Sequence, residues 1–438
     1  MPLSKFPGGI LGVGFNPLQA PNAPTIGTAT GGNASASVAF TAPANVGGSA
    51  ITSYAVQSTP GNVGASGASS PITVSGLTNG TAYTFRVTAL NSYGPSPASG
   101  ASNSATPALP QYIAVGSTNT PFVTAYPWSG SGFGTKFTNP ATLPTSAGRN
   151  VAFTPAANAI AVAHESTPFV TAYPWSVSGF GTKFADPATL PTDGCRGVAF
   201  SPSGDAIAVA HYVTPFVTAY PWSVSGFGTK FANPATTPTG TGNGVAFSPS
   251  GNAIAVAHDT SPRVTAYPWS GSGFGTKFTN PATLPTGNCN TVAFSPSGNA
   301  IAVAHDISPF VTAYAWSGSG FGTKFANPAT LPAGLGFGVA FSPAGDAIAV
   351  AHSGSPNITA YPWSGSGFGT KFADPATLPT ATGIRVAFSY AGDAIAVAQD
   401  GSPGVTAYPW SGSGFGTKFA NPATLPAGLG NGVAFGAG

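Results

Sequence analysis

One interval governs most of this chain. Its seven tryptophans, Trp128, Trp175, Trp222, Trp269, Trp316, Trp363 and Trp410, follow each other at steps of 47 residues without insertion or deletion. Around each the text is nearly constant, as in AVAHDTSPRVTAYPWSGSGFGTKF at 255–278. A strict period of this length means one supersecondary unit, written repeatedly, that buries its apolar face only by stacking on copies of itself. Such units must either run on as an open solenoid or close into a ring.

The unit itself reads as four short strands. GVAFSP (244–249), AIAVAH (253–258), VTAYPW (264–269) and GFGTKF (273–278) are separated by SPSGN and SGSG, whose glycines suit tight hairpins. In the second strand Ile254 and Val256 share one face and Ala255 and Ala257 the other. A bulky face and a small face stack in one direction, as blades of a β-propeller do. The phase of the array predicts closure. YIAVG (112–116) enters at the second strand, and GVAF (432–435) leaves at the first, so the C-terminal strand completes the opening blade. The expectation is an all-β chain with a seven-bladed propeller over 109–438. The spacing of VAFSPSG, AIAVAH and VTAYPW resembles WD-repeat propellers, without their GH and WD dipeptides.

Ahead of the repeats, FTAPANVGGSAITSYAV (40–56) and ITVSGLTNGTAYTFRVTALNSYGPSPAS (72–99) resemble a fibronectin type III domain, placed at 23–108. Tyr83, six residues after Leu77, stands where that family keeps a tyrosine whose hydroxyl caps a backbone turn. Phe40 stands where many relatives carry Trp. Residues 1–22 read as an extended leader, with Phe6, Ile10, Leu11 and Phe15 as the side chains expected to anchor it to a partner.

Charge is scarce, at 5% of residues, and nearly balanced at a net +3. That argues against nucleic acid, and no apolar run reaches the ~20 residues that span a bilayer. The five histidines, His164, His211, His258, His305 and His352, recur at one repeat position. With strands ~4.8 Å apart, equivalent imidazoles in neighbouring blades should stand roughly 10 Å apart, too far to share a metal. Each is expected to bond within or beside its own blade. Cys195 and Cys289 lie two blades apart and are expected to be free thiols. Seven lysines, from Lys136 to Lys418, are expected as a belt on the outermost strand. No nucleophile motif, phosphate loop or metal-ligand cluster is legible, so no catalytic residue, cofactor or metal is expected.

Variation between units singles out one face. The pentapeptide before the first strand reads SAGRN, DGCRG, GTGNG, GNCNT, GLGFG, ATGIR and GLGNG in turn, and the loop after the second strand varies with it. The SPSG and WSGSGFGTKF turns hardly change. Loops on a rigid scaffold carry specificity, so Arg149, Arg196, Tyr212, Arg263, Asp306, Phe337 and Arg385 are the candidate ligand-contacting residues. Fibronectin-like modules joined to propellers, with a short leader, resemble surface proteins of phage virions. That resemblance implies a non-enzymatic, multicopy particle protein, located on the virion. Its leader would bind other virion proteins and its propeller a glycan or protein of the host surface. A secreted bacterial adhesin or matrix protein and a propeller hydrolase or lactonase are the alternatives.

Overall fold

The computed structural model describes residues 19–438; the four expected anchoring side chains lie outside that range. The chain divides into two compact units, residues 1–110 and 111–438.

The N-terminal unit is a sandwich. One sheet has three strands, Thr25–Gly32, Ser35–Thr41 and Ile72–Ser75. The other has four, in the order Gly64–Gly67, Ser53–Thr59, Thr84–Asn91, Gly94–Pro95. Val38, Val56, Val74, Phe85 and Val87 fill the core between them. Phe40 joins this core and packs on Tyr54 with ring centroids 4.7 Å apart. The Tyr83 hydroxyl accepts the Thr78 N–H at 3.1 Å, so the side chain does cap a backbone turn.

The second unit is seven four-stranded antiparallel sheets. In the fourth blade they are Gly242–Phe247, Ala253–His258, Val264–Ser270 and Gly273–Phe274, from the innermost strand outward. The first blade takes its innermost strand, Gly430–Ala437, from the C-terminus; it pairs with Gln111–Ser117 in the register Val433↔Val115. The ring is therefore closed, and the first blade has its full four strands like the other six.

Side-chain size sets the stacking. Ala206, Ala208 and Ala210 of the third blade pack on Ile254, Val256, Tyr267 and Trp269 of the fourth. The same arrangement crosses the closure, where Ala394, Ala396 and Ala398 meet Ile113, Val115, Tyr126 and Trp128. Each tryptophan is edge-on to three phenylalanines. For Trp269 these are Phe247 and Phe274 of its own blade and Phe231 of the preceding one, at 5.1, 5.1 and 5.3 Å. Such pairs contribute about 0.5–1.5 kcal/mol each beyond burial. Every blade also grips the loop before it through a tyrosine. Tyr267 donates to the Thr236 carbonyl at 2.8 Å, and Tyr126 donates across the closure to Thr424 at 2.7 Å.

The outermost strand is shorter than the sequence suggests: in six blades it is only a Gly-Phe pair. Pro268 explains it. Its carbonyl accepts the Gly275 N–H at 2.8 Å, so the N–H that proline lacks would also have pointed outward. In the fifth blade Ala315 replaces that proline, and there alone the strand runs on as Gly320–Lys324. The lysines consequently do not form a belt on a regular strand. Each ammonium is held by the side chain three residues on, as Lys277 is by Asn280 and Lys183 by Asp186.

The histidines are buried within their own blades. Each Nε2 meets a threonine hydroxyl of the third strand, at 2.8 Å for His164–Thr171 and 2.9 Å for His258–Thr265. In the seventh blade Gln399 takes the same place, with its Oε1 accepting from Thr406 at 2.9 Å. Burial lowers all five imidazoles to about 4, so they are neutral at pH 7. Cys195 and Cys289 are free and buried, and burial raises both thiols.

Candidate functional site at the mouth of the central channel

In every blade the ladder between first and second strands slips by one residue at the same place. The slips fall between Gly148 and Asn150, Cys195 and Gly197, Gly242 and Gly244, and likewise around the ring to Gly430 and Gly432. The seven residues left over are Arg149, Arg196, Asn243, Asn290, Phe337, Ile384 and Asn431. A bulge frees one side chain from the alternation of the strand and re-aims it. Small neighbours permit this. A Cβ at Gly242 would meet the Phe216 carbonyl oxygen at 2.2 Å, and one at Gly432 would meet Asn150 Cα at 2.7 Å.

All seven bulge residues line a single cavity of about 370 Å³, together with Thr118, Arg385, Asp400 and Leu429. Thr118 and Asp400 come from the loop after the second strand. Backbone bonds hold that loop beside the bulges, as from Asp400 N–H to Thr382 at 2.9 Å and from Thr118 N–H to Leu429 at 3.1 Å. Both variable segments therefore share one face.

The charges are unevenly spent. Arg149 donates to Glu165 Oε1 through Nε at 2.9 Å and Nη2 at 2.7 Å. The Tyr212 hydroxyl donates to the same oxygen at 2.7 Å. These bonds, that with Arg149 foremost, hold the Glu165 carboxyl below its ordinary range. The Arg196 guanidinium lies over the Tyr212 ring, 4.4 Å from its centroid, and donates to Asn243 Oδ1 at 2.9 Å. The asparagines stitch neighbouring inner strands. Asn243 Nδ2 donates to Cys289 at 3.0 Å, Asn290 to Gly336 at 2.8 Å, and Asn431 to Gly148 at 3.1 Å. Arg385 donates Nη1 to the carbonyls of Phe337 and Ile384 at 3.1 and 3.0 Å, while its buried Nε has no partner. Asp400 is exposed and belongs to none of the three ion pairs among the described residues.

Of the candidates named from sequence, Arg149, Arg196, Phe337 and Arg385 line this cavity, and Tyr212 backs it through Glu165 and Arg196. Arg263 and Asp306 do not line it. Arg263 donates to the Pro285 carbonyl at 2.9 Å, and Asp306 accepts the Asn288 N–H at 2.8 Å. Sequence reasoning missed Asn243, Asn290, Ile384, Asn431, Asp400 and Glu165. A signal existed for the first four, since they are the fourth letters of the variable pentapeptides. A second hollow of about 500 Å³ lies on the N-terminal unit, lined by Ala55, Gln57, Ser66, Arg86 and Thr88 among others. Its one charged side chain there, Arg86, is turned to the Ser99 carbonyl at 2.8 Å. Among the described residues no three His, Cys, Asp or Glu side chains gather as a metal site would need, and no helix is long and apolar enough to cross a membrane.

Residues 20–104 match the family model of the fibronectin type III domain. No curated protein matches the chain by sequence. Among solved structures, an inferred 6-phosphogluconolactonase of Bacteroides fragilis aligns at TM-score 0.61 and 11% identity, over 74% of this chain and 98% of its own. The periplasmic gluconolactonase of Pseudomonas aeruginosa aligns at TM-score 0.59 and 16% identity, over 75% and 99%. An inferred 6-phosphogluconolactonase of Bacteroides uniformis aligns at 0.58 and 14%, over 74% and 99%. At these identities the likeness is one of fold. It nevertheless overturns the expectation of a non-enzymatic chain. That expectation rested on the lack of a familiar catalytic motif, and lactonases are built on this same propeller. Nothing in the comparisons supports the likeness to phage virion proteins.

Proposed function

We propose that the propeller is a hydrolase that opens a lactone at the mouth of its central channel. The observation that carries this reading is the cavity ringed by the seven bulge residues, where Arg149 and Arg196 stand on neighbouring blades and the loop after the second strand of the seventh blade adds Asp400, which forms no ion pair among the described residues. Lactone opening needs a base for water and positive charge for the oxyanion formed at the carbonyl. Asp400 is the candidate base. Water adds to the lactone carbonyl as Asp400 takes its proton. The guanidinium groups of Arg149 and Arg196 face the developing oxyanion. The ring C–O bond then breaks, and the leaving oxygen recovers the proton to give a hydroxy acid. Glu165 serves as a positioning residue, since its Oε1 fixes Arg149 and, through Tyr212, Arg196. The lactonases named among the structural neighbours support the choice of reaction class. No observation favours a particle-bound or adhesive role over this one.

The test is acid release by the purified full chain from δ- and γ-sugar lactones in weakly buffered solution, followed against spontaneous hydrolysis. Asp400→Asn should lower kcat by about 10²-fold or more. Arg196→Gln should act on kcat as well, because its partner is the transition state. Release no faster than in buffer alone, across both ring sizes, refutes the proposal.

A further inference from the structure

The lactone reading leaves Arg385 without a task. It stands one residue beyond the bulge of the seventh blade, at a position where four of the seven blades carry glycine. The reason for glycine there is the approach of neighbouring inner strands: a Cβ at Gly338 would lie 2.8 Å from Arg385 Cα. An arginine at so crowded a place sends a long cation into the throat of the channel. Its two side-chain hydrogen bonds both go to backbone carbonyls, through Nη1 alone. Its Nε is out of reach of water and has no acceptor. Arg196 enters the same cavity from the third blade, nearly opposite in the ring. Burial and the charge of Arg196 together lower Arg385 to about 10, with no carboxylate opposing them. Glu165 is already shared between Arg149 and Tyr212, and Asp400 forms no ion pair with either cation.

A half-buried guanidinium whose Nε has no acceptor, sharing a cavity with a second guanidinium and paired with no carboxylate, lacks a counter-ion. We infer that the throat is an oxyanion site, in which a carboxylate- or phosphate-sized group sits between Arg385 and Arg196 and accepts from the N–H groups they leave free. Guanidinium groups suit such planar or tetrahedral oxyanions because their donors match two oxygens at once. The inference holds for free anions and for an anionic group carried on a larger molecule. In the latter case it deepens the lactone reading, since the hydroxy acid released would itself carry a carboxylate to the throat. Arg263 is a useful contrast. Its Nε is also unpartnered, but the residue lies outside the cavity.

The probe is inorganic phosphate, titrated into the full chain by calorimetry and by thermal shift, with sodium chloride at matched ionic strength as control. Phosphate should bind at one site per chain and raise the melting temperature where chloride does not. Arg385→Gln should weaken it at least about tenfold, and Arg196→Gln likewise. Arg385→Lys, which keeps the charge within the same space, should retain part of the binding and covers the case in which the glutamine variant does not fold. Acetate in place of phosphate tells whether a carboxylate suffices. A phosphate response equal to that of chloride, or one unchanged in both Arg385→Gln and Arg196→Gln, overturns the inference. The two proposals fail separately: phosphate binding without lactone opening leaves the anion site standing, and lactone opening without phosphate binding removes it alone.

Discussion

Acid should destabilise the propeller as the pH falls below 6.5, and the five buried histidines set the size of the effect. Each imidazole is fully enclosed, bonds Nε2 to a threonine hydroxyl, and is lowered to about 4 against 6.5 for a free side chain. The folded state favours the neutral form. Each histidine's contribution is therefore whole above pH 6.5 and is lost as the pH falls toward 4, where the folded protein also takes up the proton. A full window of that width is worth about 3 kcal/mol per histidine, and five together give a slope of about 7 kcal/mol per pH unit below pH 6. At pH 5 the loss comes to about 10 kcal/mol, comparable to the 5–15 kcal/mol that typically separates folded from unfolded domains. All tryptophans lie in the repeats, so their fluorescence reports on this unit alone. The melting temperature followed this way should be level between pH 8 and 7 and fall steeply below 6. The seventh blade supplies the control, because Gln399 makes the same threonine bond without a titrating group. Histidine-to-glutamine substitution at all five positions should fold and flatten the profile down to about pH 4.5. Equal melting temperatures at pH 7 and pH 5 in the natural chain, or an unchanged fall in the glutamine variant, would refute the argument.

Three further outcomes follow from the packing. Tyr126→Phe removes one hydrogen bond across the ring closure and should cost about 1 kcal/mol in urea unfolding; Tyr267→Phe, inside the array, should cost the same if the closure is an ordinary blade junction. Pro268→Ala should lengthen the outer strand of its blade as Ala315 does, which hydrogen exchange would register as added amide protection along 273–278. Cys195 and Cys289 should stay unreactive to a thiol reagent in the native protein and react together on unfolding, since both are buried with raised thiols.

What the sequence made legible follows from where its information is local. Blade number, strand order and the alternation of Ala against Ile and Val are patterns along the chain, and they survive into the fold. The closure is legible because 112–116 and 432–435 are two halves of one repeat. The bulge is not, because it is a property of the register between two strands, and Arg149 looks like any loop residue until its strand is paired with His164. The tyrosine grip is hidden for a similar reason: its acceptors, such as the Thr236 carbonyl, are backbone atoms that carry no side-chain signature. Asp400 does not stand out along the chain, since acidic residues also follow the second strand at Asp259 and Asp306, and only the cavity distinguishes the three.

The same contrast explains why a chain with so few charges concentrates its arginines as it does. A closed ring of near-identical blades is over-determined. Each Trp–Phe cluster and each Tyr–Thr bond is present in every blade, and a change at any one of them would unsettle two neighbours. The bulged residue is the exception, since it has no partner across the ladder and its side chain is turned to the cavity. It is the position where sequence can diverge at least structural cost, and Arg, Arg, Asn, Asn, Phe, Ile and Asn stand there in turn. Three asparagines spend an amide on the next blade, so even this ring is part scaffold. The guanidinium groups of Arg196 in this ring and of Arg385 beside it keep N–H groups that the scaffold does not use, and a ligand's oxygen atoms are the acceptors they lack.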